Sequence, residues 1–144
     1  MNCGRRRPIP DPSDAVSCRS SKGRQTNEGG KLEGKYMTCS IKNFGRYTIA
    51  IDTVAPKCKP QNFVSGKAFK AKEKKIIVKI SDNLAGITSY NAYLNGQWIL
   101  AEYDGKSGRL IMDAKKLKQG TNKLTIKLSD SKSNSASFDY TITK

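Results

Sequence analysis

Asp82, Asn83, Asp130 and Asn134 are the oxygen-bearing side chains whose placement first invites a chemical reading. They fall in two segments that echo each other, VKISDNLAG at 78–86 and IKLSDSKSN at 126–134, each a strand-like run followed by Ser-Asp and a polar turn. Calcium needs several oxygen ligands, and four such side chains brought together would begin a site. Asp and Asn also initiate turns by bonding to their own backbone, and the sequence favours that use, so no metal ligand is assigned. The cysteines, Cys3, Cys18, Cys39 and Cys58, form no C-x2-C pair, and separations of 15, 21 and 19 do not fit paired zinc knuckles. Cys39 and Cys58 are either a disulfide of an exported protein or free buried thiols.

The chain has no histidine. That removes the usual general base and the commonest metal ligand together. No nucleophile-and-base pair can be assembled, and Asp104 with Asp113 or Glu102 is an unsupported carboxylate pair. The expectation is therefore no catalytic residue, no cofactor and no enzyme acting alone.

Two binding chemistries remain. One is aromatic. Asn95-Gly96 separates two runs rich in β-branched and aromatic residues, and this dipeptide favours a type I′ hairpin because both positions need positive φ. The turn sets a register in which Leu94 opposes Gln97, Tyr93 opposes Trp98 and Ala92 opposes Ile99, continuing through Asn91–Leu100 and Tyr90–Ala101 to Ser89–Glu102 and Thr88–Tyr103. Leu94, Ala92, Ile99, Tyr90, Ala101 and Tyr103 share the face expected inward. Tyr93, Trp98 and Leu100 share the other, with Asn91, Ser89 and Glu102. The sole tryptophan is then either core, or a contact for a sugar ring or a neighbouring domain. The other chemistry is electrostatic. The net charge is +15, and Lys70, Lys72, Lys74 and Lys75, with Lys67 and Lys79 nearby, would form a strip for phosphates or another polyanion. Many lysines alternate with apolar residues as solvent-facing strand positions do, which is their bland reading.

The elements that must position these groups are strands. KKIIVKISD (74–82), RLIMD (109–113), NKLTIKLSD (122–130) and SASFDYTIT (135–143) carry period-two patterns, with turn signals about ten residues apart. AKKLKQG (114–120) is one helical turn or a bend. Residues 61–144 therefore read as an all-β, immunoglobulin-like β-sandwich without the Cys-Trp-Cys arrangement of antibody domains. Residues 36–60 read as YMTCSIK and RYTIAID, a short β-hairpin ending a preceding β-unit, then a linker or first edge strand over Asp52–Pro60, where two prolines resist helix and central strand. Residues 1–35 have no aromatic and few apolar side chains, and read as a disordered or irregular basic leader. Arg5, Arg6 and Arg7 within it are too few to argue a nucleic-acid arm. An apolar content of 36% and a mean hydropathy of −0.62 agree with part of the chain staying unpacked. No run is apolar enough to span a membrane, and MNCGRRRPIPDPSD has no apolar core of a signal peptide. The chain is then either cytoplasmic or a fragment whose export signal lies elsewhere.

From about Leu32 to Lys144 the sequence resembles the C-terminal region of lysostaphin-type zinc endopeptidases of Gram-negative anaerobes. Phe44-Gly45, Tyr47, Asp52, Pro56, Asp82, Gly86-Ile87, Ser89-Tyr90, Gly96, Trp98, Leu100 and Glu102-Tyr103-Asp104 carry the likeness. In that family an exported peptidoglycan hydrolase domain precedes β-domains. Its zinc-binding histidines are missing here, so no catalytic residue carries over. Its last motif usually reads D-N-x-G-N, whereas Asp130-Ser131-Lys132-Ser133-Asn134 lacks the glycine. The resemblance implies a non-catalytic accessory domain in the periplasm or cell envelope, partnered by peptidoglycan or an adjacent peptidase domain. The alternative is a basic β-domain that binds nucleic acid or another polyanion.

Overall fold

A computed structural model describes residues 15–21, 24–34, 36–40 and 43–144. The chain divides into two compact units, Met1–Thr53 and Val54–Lys144. The boundary falls inside the proline-containing stretch that the sequence marked.

The first unit is a small β-structure. Strand β1 (Ala15–Ser21) lies between β2 (Arg24–Gly29) and β5 (Arg46–Ile51), all antiparallel. Strands β3 (Lys31–Glu33) and β4 (Tyr36–Thr38) form a separate two-stranded ribbon. This corrects two expectations. Residues 15–21 and 24–33 are not an irregular leader, because β1 finds ladder partners on both sides, and main-chain pairing does not depend on the apolar content used to judge the segment. The expected hairpin of 36–42 with 46–52 does not form either. Gly34, at φ 61, reverses the chain so that β4 pairs with its immediate predecessor, while β5 closes on β1. No residue of β4 or β5 is buried. Arg5, Arg6, Arg7 and Cys3 lie outside the described residues.

The second unit is a two-layer all-β sandwich. One antiparallel sheet orders β10 (Ala101–Asp104), β11 (Arg109–Asp113), β7 (Lys75–Ser81) and β6 (Lys57–Pro60). The other orders β13 (Ser135–Thr143), β12 (Thr121–Asp130), β8 (Ile87–Leu94) and β9 (Gln97–Ile99). The inward faces interdigitate in one core. Ile76, Val78, Leu110 and Met112 come from the first sheet, and Ala92, Leu124, Ile126 and Ile142 from the second. Their alternation with exposed lysines is the period-two pattern of half-buried strands. β6 belongs to this sandwich, so the domain starts before residue 61: Lys57–Pro60 is the edge strand, where proline costs no ladder bond. Cys58, on that strand, is buried as a free thiol, so the Cys39–Cys58 disulfide is not formed. Burial pushes the Cys58 thiol up, and burial likewise pushes up the Tyr140 phenol, whose hydroxyl donates to the Cys58 carbonyl at 3.1 Å. Burial therefore disfavours the Cys58 thiolate, the form a nucleophile needs.

The Asn95-Gly96 turn forms as expected, with φ of 52 and 82 and pairs Leu94–Gln97, Tyr93–Trp98 and Ala92–Ile99. The register ends there, which corrects the longer pairing. At Leu100 the chain leaves β8, and from Ala101 it pairs with β11 of the other sheet instead. One extended segment therefore edges both sheets. Tyr90 and Tyr103, expected inward, are partly exposed and pack on each other at 5.6 Å.

The two echoing segments also fold alike. Asp82 Oδ2 accepts from the amides of Leu84 and Gly86 at 3.1 and 2.7 Å. Asp130 Oδ1 accepts from the amides of Lys132 and Asn134 at 2.8 and 2.9 Å. Each aspartate thus closes its own turn on residues two and four ahead. Gly86 takes φ 80 in the first turn and Ser133 φ 65 in the second. Ser133 has a Cβ that the left-handed region disfavours, so a serine here bears the strain that a glycine would not. Ser133→Gly should raise the unfolding free energy by about 0.5–1 kcal/mol, read from denaturant midpoints. No gain would mean that the turn relaxes around serine.

Candidate functional site

β8 presents Tyr93, β9 presents Trp98, and Leu100 follows between β9 and β10; the structure treats the three differently. Trp98 is 60% exposed and Leu100 65% exposed, whereas Tyr93 is half-buried. The reading of Trp98 as core is therefore corrected. Its place opposite Tyr93 puts it on the outer face of a strand whose inner neighbour, Ile99, takes the core position. Trp98 Nε1 donates to Asn91 Oδ1 at 3.3 Å. Tyr93 lies beneath Lys127, whose Nζ is 5.4 Å from the ring centroid. Among the described residues the ring–ring contacts are Phe63–Tyr140 and Tyr90–Tyr103, so Tyr93 and Trp98 are cross-strand neighbours without a ring contact.

The hairpin that carries these side chains is fixed from below by a residue the sequence reading passed over. Asn122 is fully buried, and its amide serves three segments. Oδ1 accepts from Lys118 N at 2.9 Å and from Asn95 Nδ2 at 3.0 Å. Nδ2 donates to the carbonyls of Lys118 and Gly120 at 2.8 and 3.0 Å. Asn95 in turn bonds both backbone groups of Lys123, each at 2.8 Å. The hairpin tip is thus stapled to β12 by the Asn95 side chain and its backbone amide together. An inward asparagine among Leu124, Ile126 and Leu128 of one alternating strand was the available signal.

The lysines of the expected polyanion strip are split. Lys74 and Lys75 line an open groove of about 570 Å³ together with Leu100, Ile111, Met112, Lys115 and Lys116. Lys70 and Lys74 line an adjoining depression with Phe69, Lys115 and Lys144. Lys72 lines neither. Leu100, placed in the aromatic set by sequence, is thereby brought to the lysines, whereas Tyr93 and Trp98 are not. Lys115 and Lys116 follow β11 in a short 3-10 turn, Ala114–Lys116, capped by Asp113 Oδ1 accepting from Lys115 N at 2.9 Å. Sequence reading missed this pair because only the fold places residues 115–116 beside 74–75. Among the described residues, none of the lysines lining the groove or the depression is in an ion pair; the pairs seen are Lys31–Glu33 and Lys123–Asp139.

The acidic side chains do turn work. Besides Asp82 and Asp130, Asp104 accepts from Lys106 N at 3.1 Å and from Ser107 Oγ at 2.6 Å, and the serine bond holds its carboxyl below the usual range. Asp82 and Asp130 each bring a carboxylate oxygen within 4.8 Å of the other, and Asp82 Oδ1 is buried without a hydrogen-bond partner. Asn134 spends its side-chain amide as a donor to Asp130 Oδ2 at 2.8 Å, and Asn83 is exposed. Of the four residues that suggested calcium, then, Asp82 and Asp130 approach, Asn134 is spent as a donor to Asp130, and Asn83 faces solvent. Among the described residues no helix is long and apolar enough to cross a membrane. No family model matches the chain, and no curated protein matches it either.

Proposed function

We propose that this chain is a non-catalytic binding module, an immunoglobulin-like accessory domain of an exported cell-envelope protein, and that it engages peptidoglycan or a neighbouring peptidase domain through Trp98 and Leu100. The observation that carries this reading is the exposure of both side chains on a segment anchored to both sheets. Large apolar side chains held rigidly in solvent offer contact area at little ordering cost. The absence of histidine from the sequence and the burial that disfavours the Cys58 thiolate weigh on the same side, because they remove the usual general base and make that thiol a poor nucleophile. Trp98→Ala is expected to leave the thermal midpoint of the sandwich within about 3 °C of the parent, since exposed substitutions change stability little. The same variant should lose co-sedimentation with peptidoglycan sacculi. Full retention on sacculi by the variant, or no binding by the parent, would count against the wall contact.

A second reading has its own support. Lys70, Lys74 and Lys75, with Lys115, Lys116 and Lys144, form a lysine surface that, among the described residues, has no ion-pair partner. Such a surface favours a nucleic acid or another polyanion, with affinity that falls steeply as salt rises. A gel shift at low and high salt tests it.

A further inference from the structure

The groove beside Leu100 combines two features that neither a purely electrostatic nor a purely aromatic contact needs. Its rim is cationic: Lys75 opens β7 and Lys74 stands just before it, and Lys115 and Lys116 come from the 3-10 turn. Its floor is aliphatic: Leu100 is largely exposed, Ile111 is half-buried on the outer face of β11, and Met112 and Ile99 lie beneath. Its volume, about 570 Å³, is that of a site for several side chains. Among the described residues, none that lines it is aromatic.

That last point separates the candidate occupants. Single-stranded nucleic acid is held by lysines together with stacking platforms for its bases, and sugar rings likewise favour aromatic faces. This groove has the charge without the platform. A fully charged polymer would satisfy the rim but leave the aliphatic floor wet. A peptide that alternates carboxylates with aliphatic side chains satisfies both, placing its acids on the lysines and burying its apolar groups on Leu100 and Ile111. The two carboxylates in the lining, Glu102 and Asp113, are outnumbered by its four lysines, and Asp113 is engaged by the amide of Lys115.

We infer that the groove formed by Lys74, Lys75, Leu100, Ile111, Lys115 and Lys116 is a docking site for an acidic, aliphatic-rich peptide segment of a partner protein. The inference deepens the lysine-surface reading above by naming the ligand class, and it needs neither Tyr93 nor Trp98.

The test is fluorescence anisotropy of the full chain with three labelled probes: an alternating Glu/Leu peptide, a polyglutamate of equal charge, and an oligothymidine of equal charge. The Glu/Leu peptide should bind tightest, and its affinity should fall with added salt. The Lys74→Glu/Lys116→Glu double variant and Leu100→Asp should each weaken it by about tenfold or more. Lys59→Glu, on the opposite edge strand, should leave it within about twofold. Circular dichroism of each variant keeps misfolding apart from lost binding. If polyglutamate or oligothymidine binds as tightly, the lysine-surface reading stands and the peptide assignment falls. If none of the probes binds, both fall. If the Glu/Leu peptide binds but ignores the groove variants, the location is wrong.

Discussion

Asn122→Ala should lower the unfolding free energy of the sandwich by about 3 kcal/mol or more, among the largest losses available to one substitution in this chain. The reason is the number of partners stranded, not the volume lost. Removing the amide leaves Lys118 N and the carbonyls of Lys118 and Gly120 without it, and takes the staple from Asn95. Buried polar groups that lose their partners keep the full desolvation cost, about 1–3 kcal/mol each, less whatever water can reach. The hairpin tip should loosen as well, so amide exchange at Asn95 and Lys123 should quicken more than at Ile126. Urea denaturation and hydrogen exchange measure the two effects. A loss under about 1 kcal/mol would mean that water replaces the amide without penalty.

Asp130→Ala should cost about 2–4 kcal/mol, because the carboxylate is 4% exposed and accepts three hydrogen bonds that hold the β12–β13 turn closed. Asp130→Asn sharpens the point. Its remaining oxygen can keep both amide bonds, but its NH2 would face the NH2 of Asn134. It also removes a charge close to the Asp82 carboxylate. If turn closure dominates, Asn recovers at least half of the loss. If repulsion between the two carboxylates dominates, Asn is more stable than the parent. Chemical denaturation of the three proteins decides between them.

How much of this was legible follows from what each signal depends on. Strands β7, β11, β12 and β13 were readable because alternation of apolar and polar residues is imposed by a half-buried face. The Asn95-Gly96 turn was readable because its φ values restrict the residues that fit. The sheet switch at Leu100 was not, since alternation continues smoothly through Ile99 to Ala101 while the pairing partner changes from β8 to β11. A period reports which face is inward, not which strand lies beside it. Strands β1 and β2 escaped notice for the opposite reason: their pairing is real but leaves no apolar period. The lysine groove needed tertiary proximity of 74–75 with 115–116, which no local pattern encodes. Asp82 and Asp130 were visible as echoes, and the structure gives each a turn to close.

One feature of the second unit bears on how it would behave under load. The segment from Ser65 to Phe69 runs parallel to the end of β13, bridged at Ala68–Thr143. It is tied there by Gly66 N to Thr141 O at 2.9 Å, Phe69 N to Thr143 O at 2.7 Å and Thr141 N to Ser65 Oγ at 2.9 Å. A pull that draws the early segment and the last strand toward their own ends slides them past each other. The ties are then stretched together in shear, where an antiparallel hairpin pulled from its open end would unzip one bond at a time. Forced unfolding is governed by the barrier to rupture and not by equilibrium stability, so this short parallel clasp gives the sandwich a mechanical grip distinct from its thermodynamic one.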